Sequence, residues 1–349
     1  MAYTTIDDPS AFFQAIIYEG GTANAKTFSG NSDLAPNWWW GKKREVAQNH
    51  YFVDSVRGIT NSLQGNVTGA EYTDTEADDI ASFDSNGFTF NDTGDQFNGT
   101  SSDASYVAWC WKAGTSFSND ASSTGVGSID STGSVSTTAG FSIITSTLPS
   151  SGTVTIAHGL GAKPTMLITK ALNKTYNWDV LHKSVNDNGA GRLILNTNGT
   201  PDTGNNPYAS TTPTSSVFSF SADFYGASNI VTYCFAEKQG YSKFGSFVSN
   251  NVNDNVFIYC GFKPALVFAK STTSTNDWVI FDNKRDTFNV TQHKLYPNIN
   301  NAEATSENDL DFLSNGFKLR NGYGANTFMF MAIAEQPFVT STGVPATAR

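Results

Sequence analysis

Short apolar runs recur along the chain, separated by Gly, Asn, Ser and Thr, and few windows carry an apolar stripe at helical spacing. Three of these runs open on a proline and close on a lysine: Pro36–Lys42 (PNWWWGK), Pro164–Lys170 (PTMLITK) and Pro264–Lys270 (PALVFAK). A short continuous apolar run predicts a strand buried on both faces. Proline can open such a strand, although it cannot donate into the ladder. Downstream the three segments stay in step. His50, Trp178 and Trp278 stand at one matched position, and Asp54, His182 and Asp282 four residues later. The segments read HYFVDSVR, WDVLHKSV and WVIFDNKR, so Arg57 and Arg285 correspond while Val185 breaks the pattern. A Leu-to-Asn strand follows in each: Leu63–Asn66, Leu193–Asn196 and Leu295–Asn298. Phe83–Phe88 (FDSNGF) and Phe312–Phe317 (FLSNGF) then carry the Asn-Gly of a tight hairpin, with Val217–Phe220 between them. Each series closes on one more apolar strand: Tyr106–Ala113, Ile230–Glu237 and Phe328–Glu335.

The prolines lie 128 and 100 residues apart (36 to 164 to 264), and the closing strands 124 and 98 (106 to 230 to 328). Two anchors with matching periods predict three internal copies. The longer first period coincides with Gly114–Ala139, a Gly/Ser/Thr-rich stretch that reads as a flexible linker or long surface loop. The predicted fold class is therefore all-β, with three tandem antiparallel β-sandwich-like repeat units of about 100 residues. No helix-length crossover is available to make parallel pairs. A parallel β-helix would repeat at far shorter periods. The expected organisation is an N-terminal docking segment (1–10), unit 1 (11–113), the linker (114–139), unit 2 (140–239), unit 3 (240–338) and a C-terminal tail (339–349).

Composition narrows the function. Charged residues are only 15%, against about 25% in an average domain, and the net charge is −10. A phosphate-binding surface needs clustered Lys and Arg. The one basic run, Lys42-Lys43-Arg44, is too short for that, so no nucleic acid and no anionic membrane surface is expected as a partner. No run of about 18 apolar residues exists, so no membrane insertion is expected. Met1–Asp8 lacks the basic and apolar regions of a signal peptide. Cys110, Cys234 and Cys260 form no CxxC pair and sit among apolar residues, which suggests neither a disulfide framework nor a zinc site.

Candidate sites are few. Trp38 and Trp40, with Trp39, form an aromatic cluster that could stack on sugar rings, but Met166-Leu167-Ile168 and Leu266-Val267-Phe268 at the matched positions argue for core. Asp54 with Arg57 and Asp282 with Arg285 could make polar contacts to a ligand, or be structural ion pairs that fix a bend between strands. The acidic stretches Asp74–Asp79 and Glu303–Asp311 could offer oxygen ligands to calcium, yet neither has EF-hand spacing. His50, His158, His182 and His293 are accompanied by no GxSxG elbow, and no distinctive carboxylate pair suggests a glycosidase. No catalytic residue, metal site or cofactor is expected, and the chain reads as a non-enzyme.

The runs Asn49–Gly58, Phe83–Phe88, Tyr106–Lys112, Phe235–Phe247, Asp311–Arg320 and the opening Met1–Asp8 resemble uncharacterised repeat-containing, tail-fibre-like virion proteins of marine tailed bacteriophages. The resemblance covers nearly the whole chain. It implies a virion component, made in the host cytoplasm and built into the particle as a tail fibre or receptor-binding adhesin. The alternatives are a capsid decoration protein and a glycan-degrading tail enzyme. The implied partners are other virion proteins and a host surface polysaccharide or receptor, with a homo-oligomer, a trimer, as the suspected assembly. Repetition would let weak sites add avidity.

Overall fold

In a computed structural model, which describes residues 3–22, 24–74, 80–91, 93–100 and 104–347, the chain is all-β and antiparallel. Helix among these residues is confined to one-turn pieces: Pro9–Ala11, Ala121–Thr124, Lys183–Asn186 and Ala222–Tyr225. The proline-led runs form Trp38–Lys43, Met166–Ala171 and Phe262–Ser271, each buried at every position. Each is a central strand of a large sheet. On one side it pairs with the closing strand of its copy, Ser105–Trp111, Ser228–Phe235 or Thr327–Pro337. On the other it pairs with Tyr51–Asp54, Asp179–His182 or Val279–Asp282. The closing strands also pair outward with Phe13–Glu19, Phe141–Leu148 and Ser242–Val248. Trp109, Tyr233 and Met331 therefore occupy one matched position, facing Trp40, Ile168 and Phe268.

A smaller sheet covers the outer face of each large one. In unit 1 it runs Ala25–Thr27, Gly87–Phe90, Ile80–Asp84, and in unit 3 Phe257–Tyr259, Gly316–Leu319, Leu310–Leu313. In unit 2 it is the pair Thr153–Ala157 and Val217–Ser221. Gly87 and Gly316 are required at their positions: a Cβ on either would come within 2.0 Å of the backbone oxygen of Lys26 or Ile258 on the neighbouring strand. Three separate apolar cores fill the spaces between large and small sheets.

A fourth core joins the units. Alternate residues of each central strand point the other way: Trp38 and Trp40 from unit 1, Met166 and Ile168 from unit 2, Leu266 and Phe268 from unit 3. With Trp109, Trp178, Tyr233, Trp278 and Met331 they make one continuous cluster. The even/odd alternation of a strand thus divides each central run between two cores. That is why the runs read as uninterrupted apolar stretches. The copies are not beads on a string: each large sheet buries its inner face against the others.

One expectation from the sequence is corrected, and a second segment is placed. The stretch 114–139 is not a linker but contains the strands Thr115–Asn119 and Ser131–Ser136, which extend the sheet of unit 2 beside Phe141–Leu148. Its polarity suits edge strands with one solvated face, and the turn between them closes on Gly125 and Gly127, both at positive φ. The N-terminal segment, expected to dock elsewhere, is packed on its own chain. Ile6 enters the shared core, Thr4 Oγ1 donates to the Gln239 carbonyl at 2.9 Å, and the Ser341 amide donates to Asp7 at 2.6 Å. Limited proteolysis should accordingly spare residues 114–139 under native conditions. Early cleavage there, read by mass spectrometry, would restore the linker.

Candidate functional site

The positions shared by the three copies converge on the junctions between units, which use related parts. The first part is a ring N–H reaching the preceding unit. Trp178 Nε1 donates to the Gln64 carbonyl at 3.0 Å, and Trp278 Nε1 to the Ile194 carbonyl at 3.0 Å. In unit 1 the same position is His50. Trp40 Nε1 donates to its Nδ1 at 3.0 Å, so the proton sits on Nε2, which faces the Tyr296 carbonyl of unit 3 at 3.1 Å. The contact order is 2 to 1, 3 to 2, 1 to 3, so the three units close into a cycle within one chain.

An Asn from the Leu-to-Asn strand braces each of these rings. Asn66, Asn196 and Asn298 accept from the amides of His50, Trp178 and Trp278 at 2.8–2.9 Å. Their side-chain amides donate back to Asn49, Asn177 and Asp277. The matched lysines are the third part. Lys170 Nζ donates to the Thr68 carbonyl of unit 1 at 3.2 Å, and Lys270 Nζ to the Asn198 carbonyl of unit 2 at 3.1 Å. Lys42 donates to the carbonyls of Lys43 and Val46 within its own unit. Burial pushes all three ammonium groups down, to about 8.

The fourth part is the Asp/His position. Asp54 Oδ1 accepts the amides of Val56 and Arg57, so the carboxylate holds the turn that follows it. Its Oδ2 takes Arg57 Nε at 2.6 Å and the Tyr233 hydroxyl of unit 2 at 2.8 Å. Asp282 repeats this with Lys284, Arg285 and, across the junction, Trp109 Nε1 of unit 1 at 3.0 Å. Burial opposes the Asp282 charge, but the Arg285 guanidinium and these donors outweigh it and hold its carboxyl below the usual range. Arg285 continues to Glu303 at 2.9 Å, and Glu303 is also held by Arg44 at 2.6 Å. Arg57 continues to Glu71 at 2.7 Å.

The second copy departs from this pattern for a physical reason. In unit 3 the position matched to Trp109 and Tyr233 is Met331, which has no proton to give. A carboxylate at position 182 would be buried without a cross-junction donor. His182 instead accepts the Ser184 amide on Nδ1 and directs Nε2 at the Phe330 carbonyl, 3.1 Å away. Burial drives its pKa down to about 4, so it is neutral and needs no counter-ion. Val185 stands where the other copies have Arg, and it packs against the shared core.

These placements decide the sequence-based candidates. Asp54–Arg57 and Asp282–Arg285 are buried structural pairs. Trp38 and Trp40 are fully buried and offer no surface to a sugar. Trp38 is stacked between Tyr233 at 4.3 Å and Trp111 at 4.6 Å. In the stretch 303–311, Glu303 is engaged as above, Lys294 holds Glu307 and Asp309, and Arg320 holds Asp311. No cluster of metal-ligating side chains occurs among the described residues. The other acidic stretch, Asp74–Asp79, lies outside them beyond Asp74. The three cysteines are buried and free. His293 is apart from the other histidines, 2.8 Å from Asp286.

Sequence reasoning missed a large cleft. A cleft of about 740 Å³ runs between unit 1 and the added strands of unit 2. Hydroxyl and amide groups of Thr132, Thr145, Thr147 and Asn229 line one side, and the Arg57–Glu71 pair lies on the other. It depends on the strand Ser131–Ser136, which sits in the stretch taken for a linker.

The fold and junctions define a single-chain cycle of three antiparallel β units. The family model described as Domain of unknown function (DUF7483) matches residues 8–337, and the chain belongs to that family. No curated protein and no solved structure matches it. No helix among the described residues is long and apolar enough to cross a membrane.

Two predictions test the junctions. His182→Asp should cost about 3–5 kcal/mol in denaturant unfolding, because it buries a carboxylate with no partner. Adding Val185→Arg and Met331→Tyr should recover much of that loss. Stability should also fall as pH drops from about 6.5 toward 4. His158 and His182 are held at about 4 by burial, and His50 is pushed the same way. The unfolded chain binds those protons first, so acid favours unfolding. Asp179, raised by burial to about 6, works in the opposite sense but is one group against three.

Proposed function

We propose that this chain is a structural or adhesive component of a bacteriophage virion, a tail fibre or receptor-binding part that meets the host surface. The observation that carries this reading is the use made of the repeated residues. The polar side chains common to the copies bind one unit to the next, so the repetition serves a rigid platform. Contact with a partner then falls to the surface between and around the units. The cleft between units 1 and 2 suits a polysaccharide, whose hydroxyls would exchange hydrogen bonds with Thr132, Thr145, Thr147 and Asn229. The resemblance to tail-fibre-like proteins supports the same reading.

The test combines location with binding. Antibodies against the purified protein should label the tail of the particle by electron microscopy. The protein should bind host cells or their surface polysaccharide and release no reducing ends. Thr132→Ala with Asn229→Ala should weaken that binding at least tenfold with the melting temperature unchanged. Label on the head shell would favour capsid decoration, and released reducing ends would make the chain an enzyme.

A further inference from the structure

The outer cores of units 1 and 3 are built to one plan, and that of unit 3 contains a cavity. In unit 1, Tyr18 stacks on Tyr106 at 5.2 Å and 8°. In unit 3, Phe247 and Phe328, at the matched strand positions, stack at 5.4 Å and 8°. Beside the unit 1 pair, Trp39 and Tyr51 fill the space between the sheets, both packed on Phe97. Their counterparts in unit 3 are Val267 and Val279, placed by the same pairing of strands. Unit 3 thus has isopropyl groups where unit 1 has an indole and a phenol, while Phe281 and Phe330 stand where unit 1 has Val53 and Ala108, so the rings are placed differently between the sheets. What remains is a cavity of about 250 Å³ lined by Val267, Val279, Phe281, Phe317, Tyr323 and Phe328. In unit 2 the matched residues are Leu167 and Asp179, and Tyr208 and Tyr225 occupy its core.

From this we infer that unit 3 binds a small uncharged aromatic molecule of the phenol or indole class between its two sheets. Apolar cavities of about 150 Å³ stay dry and take up benzene, so a larger one accepts a single or fused ring. The ligand would replace the rings that unit 1 supplies from its own sequence. Val279 is only partly buried, and Asn276 beside it is exposed, so the cavity opens to solvent at that end. The mouth carries Asp277 and Tyr296, with Lys294 already held by Glu307 and Asp309. Three carboxylates against one ammonium disfavour an anionic ligand, and a hydroxyl or ring N–H can donate to Asp277. The site lies wholly inside unit 3 and does not rest on the role proposed for the particle.

The test is titration of the full chain with indole, p-cresol and benzoate, followed by calorimetry and by the ring resonances of unit 3 in NMR. Indole and p-cresol should bind saturably, with benzoate at least tenfold weaker. Val279→Tyr restores the residue of unit 1 and should reduce indole binding at least tenfold while holding or raising the melting temperature. Val279→Phe gives the same reading should the hydroxyl disturb folding. Absence of saturable indole binding, or undiminished binding in a folded filled variant, would overturn the site. Benzoate binding as tight as indole would overturn its assignment to uncharged rings.

Discussion

The central strand of every large sheet has no solvated face. Its outer face is covered by a small sheet and its inner face by the other units, so a charged group on the inner face must be neutralised there. That constraint governs the junctions. A buried carboxylate at the matched position survives in units 1 and 3 because Tyr233 or Trp109 reaches it from the next unit and an Arg neutralises it. Where the next unit offers Met331, the same position carries a neutral His and the Arg becomes Val. Three residues from two units therefore vary together, although they are far apart in the chain.

The cycle also explains which features are shared and which diverge. Inner-face residues meet two other units, and a change there must be answered in another copy. Outer-face residues meet only their own small sheet, and each copy fills that space differently. Unit 1 uses Trp39 and Tyr51. Unit 2 uses Tyr208 and Tyr225 around Asp179, which is paired with Arg192. Unit 3 has valines at the matched positions, sets Phe281 and Phe330 beside them, and retains a cavity. The loops and outer strands are freer still, and the strands Thr115–Asn119 and Ser131–Ser136 lie at one side of the unit 2 sheet, outside the shared core. A binding surface can change there while the scaffold is kept.

Closure within one chain has a further consequence for the termini. The N-terminal segment carries Ile6 into the common core, and its Tyr3, Thr4 and Asp7 bond to Gly261 of unit 3, Gln239 at the end of unit 2 and Ser341 of the C-terminal stretch. The first residues of the chain thus help seal the junction between the first and last units. Glu303, held by Arg44 of unit 1 and Arg285 of unit 3, fastens the same junction by charge.

The threefold repeat, the antiparallel strands and the burial of Trp38–Trp40 were legible from the sequence, because strand periodicity and repeat spacing are local properties of the chain. Matched aliphatics in the other copies correctly pointed Trp38 and Trp40 to the core rather than to a sugar. The stretch 114–139 was misread because edge strands with one solvated face have the same Ser/Thr/Gly composition as a loop. Sequence alone gave Asp54–Arg57 and Asp282–Arg285 as pairs but could not say what completed them. Tyr233 and Trp109 lie 179 and 173 residues away, and only the tertiary structure brings them within hydrogen-bond reach. The cavity of unit 3 was hidden for the same reason: a valine reads as core in any strand, and whether a neighbouring ring fills the space beside it is decided by the fold.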